Sequence, residues 1–295
     1  MKITNKTILI LLMIFLGIKG NSESQYGVNE IMFFYAAIGK SDYEKVQKYI
    51  KKYPKIVNSG LIVYGEEATP LGAAFSHNEL KIAKLLLKNG ADINHQDSKG
   101  ISILLAAIQA GKIEHVKLLI ESGADVTAKD KFGMNIYHYA LYEPSIEMLD
   151  LLYKYNKKID EPDSTGDTPL LVIMSDRRPG FDNITMWFLK KGADFAKAVK
   201  IVPNLVPIYI DDRRNEVVKY LILHSPAYRN YVDHQGNTIS HFSVGLENDE
   251  ILNFLLESGY YSNKKNDKGE TPLDMAKEIG RNDMVKKIKK YLASK

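Results

Sequence analysis

The chain has 295 residues, 45% apolar and 26% charged, with a formal net charge of +4. That composition excludes a disordered chain and supplies the apolar residues for a buried core. There is no cysteine, which excludes disulfide staples, Cys-ligated zinc, a cysteine nucleophile and lipidation of an N-terminal cysteine.

In chain order, the first element is a basic start (Lys2, Lys6) followed by an apolar run from Ile8 to Ile18. At helical rise that run covers about 16 Å, well short of the roughly 30 Å hydrocarbon core of a bilayer. Gly20, Ser22 and Ser24 then place small residues two apart, the pattern that a signal peptidase pocket admits. Residues 1–22 are therefore expected to be a cleaved signal peptide, with the rest exported to the periplasm or secreted. The alternative is a retained N-terminal membrane anchor, which the short run and Lys19 disfavour. Residues 1–22 hold three lysines and no acid, so the remaining chain carries +1. Net charge then gives no reason to expect a nucleic acid partner. The basic clusters at Lys264–Lys265 and Lys286–Lys290 read as solvated faces.

A long-period repeat follows. Residues 27–60, containing "FFYAAIGKSDYEKVQKYIKKYP", read as an N-terminal capping copy without the standard turn ahead of it. Through the regular region 61–196, Leu71, Leu104, Tyr137 and Leu170 recur at spacings of 33. The next equivalents are set at Ile208, Ser240 and Leu273, after 38, 32 and 33 residues. A period of this size marks stacked supersecondary units, each unable to bury its apolar face alone. "TPLGAA", "TPLLVI" and "TPLDMA" place Thr at N-cap and Pro at the first helical position, where its missing N–H costs nothing. A second helix such as "ELKIAKLLLKNG" ends at a glycine (Gly90, Gly123, Gly192, Gly259) that takes the left-handed conformation. "DSKG", "DKFG", "DSTG" and "DHQG" between helix pairs read as tight hairpin tips. Residues 197–227 break the pattern, with Pro203, Pro207 and Pro226 and with Asp211–Asp212 where small apolar residues are expected. Two readings of that copy stay open, drift in a tolerant solenoid or a hinge; the hinge expects weaker hydrogen-exchange protection there than in 97–160. Residues 228–295 complete the array. Lysines replace outward apolar residues in "MVKKIKKYLASK", as a terminal cap requires.

These motifs resemble the ankyrin repeat. Asp-x-x-Gly-x-Thr-Pro-Leu, a second helix and Gly-Ala-Asp are nearly complete in Asp97–Asp125 and Asp163–Asp194, and the resemblance extends from Val28 to Leu292. It implies an all-α solenoid of stacked helix-turn-helix units with short β-hairpin tips, about eight repeats including caps, in a single array over 23–295. It also implies a structural role for His138 and His241 at the helix opening.

No chemistry-bearing motif stands out: there is no His-Glu-x-x-His, Gly-x-Ser-x-Gly, phosphate loop or dinucleotide fingerprint. No catalytic residue, cofactor or metal is expected, and function falls to the surface. In the resembled family, tips and first helices line a groove that grips protein partners. A monomer is expected, acting as a non-enzymatic scaffold in a bacterial envelope or outside the cell. More specific versions are an inhibitor or immunity protein, or a secreted effector acting on a partner enzyme or host protein. The alternative of another class is a membrane-tethered envelope structural protein; the cleaved chain itself is expected to avoid membranes. Exposed apolar tips are costly unless covered, so the partner patch is placed at Ile101, Phe132, Met134 and Tyr142. Arg177, Arg178 and Phe181 from the expanded loop of the fifth copy are set beside it, an aromatic and arginine mix typical of hot spots. The competing expectation has Phe132 and Met134 folded back onto their own hairpin.

Overall fold

The computed structural model describes residues 19–20, 26–63, 66–176, 180–197 and 205–295. Residues 1–18 and 21–22 of the expected signal peptide lie outside them, as do Arg177 and Arg178. The chain divides into two units, Met1–Lys157 and Lys158–Lys295.

The first unit opens with β1 (Lys19–Gly20), then α1 (Val28–Gly39), α2 (Tyr43–Lys52) and a 3-10 turn at Pro54–Asn58. The hairpin β2 (Leu61–Val63) and β3 (Glu66–Ala68) follows, with β1 antiparallel on the other edge of β2, Lys19 opposite Ile62. Three helix pairs complete the unit: α3 (Pro70–Ser76) with α4 (Leu80–Lys88), α5 (Ile103–Gln109) with α6 (Ile113–Glu121), and α7 (Ile136–Tyr139) with α8 (Ile146–Tyr155). The second unit holds α9 (Pro169–Ser175) with α10 (Asp182–Lys190), then α11 (Leu205–Asp211) with α12 (Asn215–His224). After α13 (Pro226–Arg229) come α14 (Ile239–Gly245) with α15 (Asp249–Ser258), and α16 (Pro272–Glu278) with α17 (Asn282–Ala293). The fold is a mostly helical repeat architecture.

The capping signals act as their chemistry requires. Thr69 Oγ1 accepts from the Gly72 N–H at 3.0 Å, Ser102 Oγ from Leu105 at 3.3 Å and Thr168 Oγ1 from Leu171 at 3.2 Å. Such a cap is worth about 1 kcal/mol per helix. His138 and His241 close capping boxes instead: the Asn135 N–H donates to His138 Nδ1, and the Thr238 N–H to His241 Nδ1. The other ring nitrogen of His241 reaches the Glu270 carbonyl of the next repeat at 3.1 Å.

The tips are turns built by one carboxylate rather than strands. Asp97 Oδ1 accepts from the N–H of Lys99 and of Ile101, both at 2.8 Å, and Asp130, Asp163 and Asp233 repeat the arrangement. Asn266 does the same with its amide oxygen. Because the side chain has taken those N–H groups, pairing across the tip shrinks to bridges such as Gln96–Ser102 and Val232–Thr238. Adjacent tips are stitched by single backbone bonds, Lys131 N–H to the Lys99 carbonyl and Asp267 N–H to that of Gln235. A Cβ on Gly100 would stand 2.8 Å from the Lys131 nitrogen, so this approach needs glycine.

The sixth repeat is in a different register from the one set by sequence. The turn between paired helices holds a left-handed residue seven after the anchor: Ser41, Asn78, Gly111, Glu247 and Gly280. In the sixth repeat that residue is Arg213 (φ 58°), which puts the anchor at Val206 rather than Ile208. Asp211 and Asp212 then fall at the solvent end of α11, and neither is buried. Val206, Tyr209 and Ile210 fill the core with Val217, Val218, Leu221 and Ile222. The repeat is docked on its successor by Asn248 Nδ2 donating to the Ile210 carbonyl at 2.9 Å. Pro226 sits harmlessly as the first residue of α13, capped by Ser225.

Candidate functional site

In the first unit, the first helices and tips of successive repeats border a groove of about 610 Å³. Its floor is made of small residues, Gly72 and Ala73 from α3 and Ala106 and Ala110 from the α5 region, with Leu71 and Phe75 beneath. Small side chains at these repeat-fixed positions leave room for a ligand between neighbouring first helices. Ile101 lines one edge. Polar groups converge around it: Tyr35, Glu67, Asp92, His95, Lys112 and His115. Tyr35 Oη donates to the Ala68 carbonyl, which fixes the ring against the base of the hairpin. Burial and the Lys112 ammonium hold His115 below its ordinary pKa of 6.5, and its Nε2 lies 2.7 Å from Asn78 Oδ1. His95 Nε2 is buried 3.7 Å from a Glu67 carboxylate oxygen. Tyr35, Glu67, His95 and His115 escape a search for exposed tips, because they come from a core-facing helix position, a strand and two turn-proximal positions. The signal for them is the run of small residues opposite.

The remaining patch residues of this unit stand on the next tip and helix. Phe132 is 61% exposed and so is not folded onto its hairpin, Tyr142 is 51% exposed, and Met134 is half-buried. Asp130 organises them. Its Oδ1 accepts from the N–H groups of Phe132 and Met134, both at 2.9 Å, and its Oδ2 accepts from Tyr139 Oη at 2.9 Å. The Tyr139 ring lies 5.9 Å from that of Tyr142. Burial and the Asp130 carboxylate raise the Tyr139 hydroxyl pKa, keeping it a donor. The Lys131–Lys99 backbone bond joins this tip to the tip carrying Ile101. Ile101, Phe132, Met134 and Tyr142 are thus set on two stitched tips and one helix end, with Tyr139 and Asp130 as the rigid link.

Phe181 is half-buried just ahead of α10 in the second unit, and Arg177 and Arg178 lie outside the described residues. Among the described residues, no group of three or more His, Cys, Asp or Glu side chains could hold a metal ion. No described helix is long and apolar enough to cross a membrane.

Comparison with known proteins fits this construction. The family model described as ankyrin repeats (3 copies) matches residues 33–130, and this stretch of the chain is an ankyrin-repeat array. The later helix pairs repeat its caps, left-handed turns and tips. Ankyrin repeats are, in general, protein–protein interaction scaffolds. The chain is also 33% identical over 89 residues to alpha-latroinsectotoxin-Lt1a of Latrodectus tredecimguttatus, a match covering 30% of this chain and 6% of that protein.

Proposed function

We propose that the protein is a non-enzymatic scaffold that grips a protein partner along the groove and tips of its first unit. The observation that carries this reading is an open groove of about 610 Å³ beside two large exposed aromatic rings, Phe132 and Tyr142, held by a buried Asp130–Tyr139 link. Preset side chains lose little entropy on binding, and aromatic anchors beside a pocket are where interface energy concentrates. The same reading makes it an exported protein whose residues 1–22 are a signal peptide, supported by the basic start, short apolar run and small residues described above. Inhibition of a partner enzyme and action on a host protein are two uses of one surface. The toxin similarity lies within a small fraction of that protein's length and supports the repeat scaffold alone.

Affinity capture with the exported chain, followed by mass spectrometry, identifies the partner. Phe132→Ala with Tyr142→Ala is expected to lower capture at least tenfold while leaving the melting temperature within about 2 °C, because both rings face solvent. Unchanged capture with a lowered melting temperature would overturn the assignment.

A further inference from the structure

The second helices of the first two repeats are rich in lysine, as is α17 at the other end of the array. On α2 stand Lys45, Lys48, Lys51 and Lys52 with one acid, Glu44; on α4 stand Lys81, Lys84 and Lys88 with none. The equivalent helices of the next two repeats reverse the balance, α6 with Glu114 and Glu121 against Lys117, and α8 with Glu147 and Asp150 against Lys154. All seven of these α2 and α4 lysines are exposed, and among the described residues Lys48, Lys51 and Lys88 make no ion pair, while Lys52 feels the Glu30 carboxylate. Between the two helices lies a groove of about 640 Å³ rimmed by Lys48, Lys51 and Lys88 and floored by Ile50, Pro54 and Leu85.

The first repeat also carries aromatic side chains. Phe33 and Tyr43 are 48% and 41% exposed. Tyr53 lies between Tyr26 and Tyr49, with ring centroids at 5.3 and 6.3 Å, and Lys52 Nζ sits 4.9 Å from the Tyr53 centroid. Lysines with tyrosines beside an apolar floor suit the headgroup layer of a bilayer, where amphipathic rings settle and ammonium groups meet lipid phosphates. The cations are all lysine; no arginine occurs before Arg177. Lysine is a mobile point charge suited to a diffuse anionic surface, whereas the planar fork of arginine suits bidentate recognition of carboxylate and phosphate.

We propose that the face formed by α2 and α4 docks on an anionic membrane surface, with lipid phosphates at Lys48, Lys51 and Lys88. This departs from the expectation that the folded chain avoids membranes, and it is independent of the partner groove. The test is sedimentation of the exported chain, from residue 23 onward, with phosphatidylcholine vesicles, with and without about 30 mol % phosphatidylglycerol. Wild type is expected to bind the anionic vesicles at least tenfold more tightly, with the preference lost in high salt. The exposed-site variant Lys48→Glu/Lys51→Glu/Lys88→Glu should lose the preference while melting normally, and Phe132→Ala/Tyr142→Ala should keep it. Equal binding to both vesicles, or a preference that survives in the triple variant, would overturn the proposal. So would tighter binding to polyglutamate or single-stranded DNA than to anionic vesicles at equal charge, which would assign the face to an acidic protein or a nucleic acid.

Discussion

Four turn residues show how a local penalty is tied to a long-range bond. Ser41, Asn78, Arg213 and Glu247 take positive φ without being glycine, a conformation that costs roughly 1 kcal/mol or more for residues with a Cβ. Each reaches into the following repeat: Ser41 to Glu79, Asn78 to His115, Arg213 to the Glu247 and Leu246 carbonyls, and Glu247 to Arg281. Strain at the turn is thus offset by a link that glycine could not make. Asn78→Ala should cost about 2 kcal/mol, from added strain and the lost bond to buried His115, and Asn78→Gly only about half of that. Equal losses in denaturant titrations would show that strain is not part of the balance. A second residue-scale contrast concerns the inter-repeat loops. Asn58 accepts from the Asp92 N–H and donates to the Gly90 carbonyl, whereas Asp160 accepts from the Asp194 N–H and its buried Oδ1 has no hydrogen-bond partner among the described residues. Burial raises the Asp160 pKa above 3.8. The folded state therefore holds the proton more tightly than the unfolded one, and stability falls as pH rises through the folded value. Asp160→Asn should supply the missing donor, raise stability at pH 7 by about 1 kcal/mol and remove that slope. A variant no more stable than wild type would contradict this.

Among the elements, the sixth helix pair is where sequence and structure part company. The standard repeats were legible because Thr-Pro, Gly and Asp-x-x-Gly mark three turns each in fixed phase. In the sixth repeat none of these survives, and Ile208 matched the apolar pattern as well as Val206 did. The left-handed Arg213 sets the register, but arginine gives no such signal in sequence. Tyr209 then fills a position held by alanine in α5, its ring 4.2 Å below the Arg214 guanidinium, which pairs with Asp182. Deeper in, the Tyr228 hydroxyl is buried with no hydrogen-bond partner among the described residues. An unsatisfied buried hydroxyl costs about 1 kcal/mol or more. Tyr228→Phe should therefore raise stability by about that amount, and hydrogen exchange in α11 and α12 should be faster than in α5 and α6 but slow in the variant. Exchange in α11 and α12 as slow as in α5 and α6 would remove the weak element.

For the molecule as a whole, each unit contains a histidine whose neutral form the fold requires. Burial lowers His115 in the first unit and His241 in the second below 6.5. The unfolded chain takes up protons first as pH falls, so stability declines from about pH 6.5 downward toward the lowered folded values. Thermal melts between pH 7.5 and 5 should show that decline; a flat profile would mean that neither ring is held neutral. The proposed partner surface was only partly legible in sequence. Tip and first-helix positions suggested Ile101, Phe132, Met134 and Tyr142, but the groove floor and the Asp130–Tyr139 link depend on residues brought together by stacking. The central claim is that these solvent-facing rings and the groove beside them hold a protein. Its most direct measurement is the dissociation constant of the captured partner for wild type and for Phe132→Ala/Tyr142→Ala, with melting curves in parallel. A weakening of tenfold or more at unchanged stability is the expected result; an unchanged constant would contradict the account.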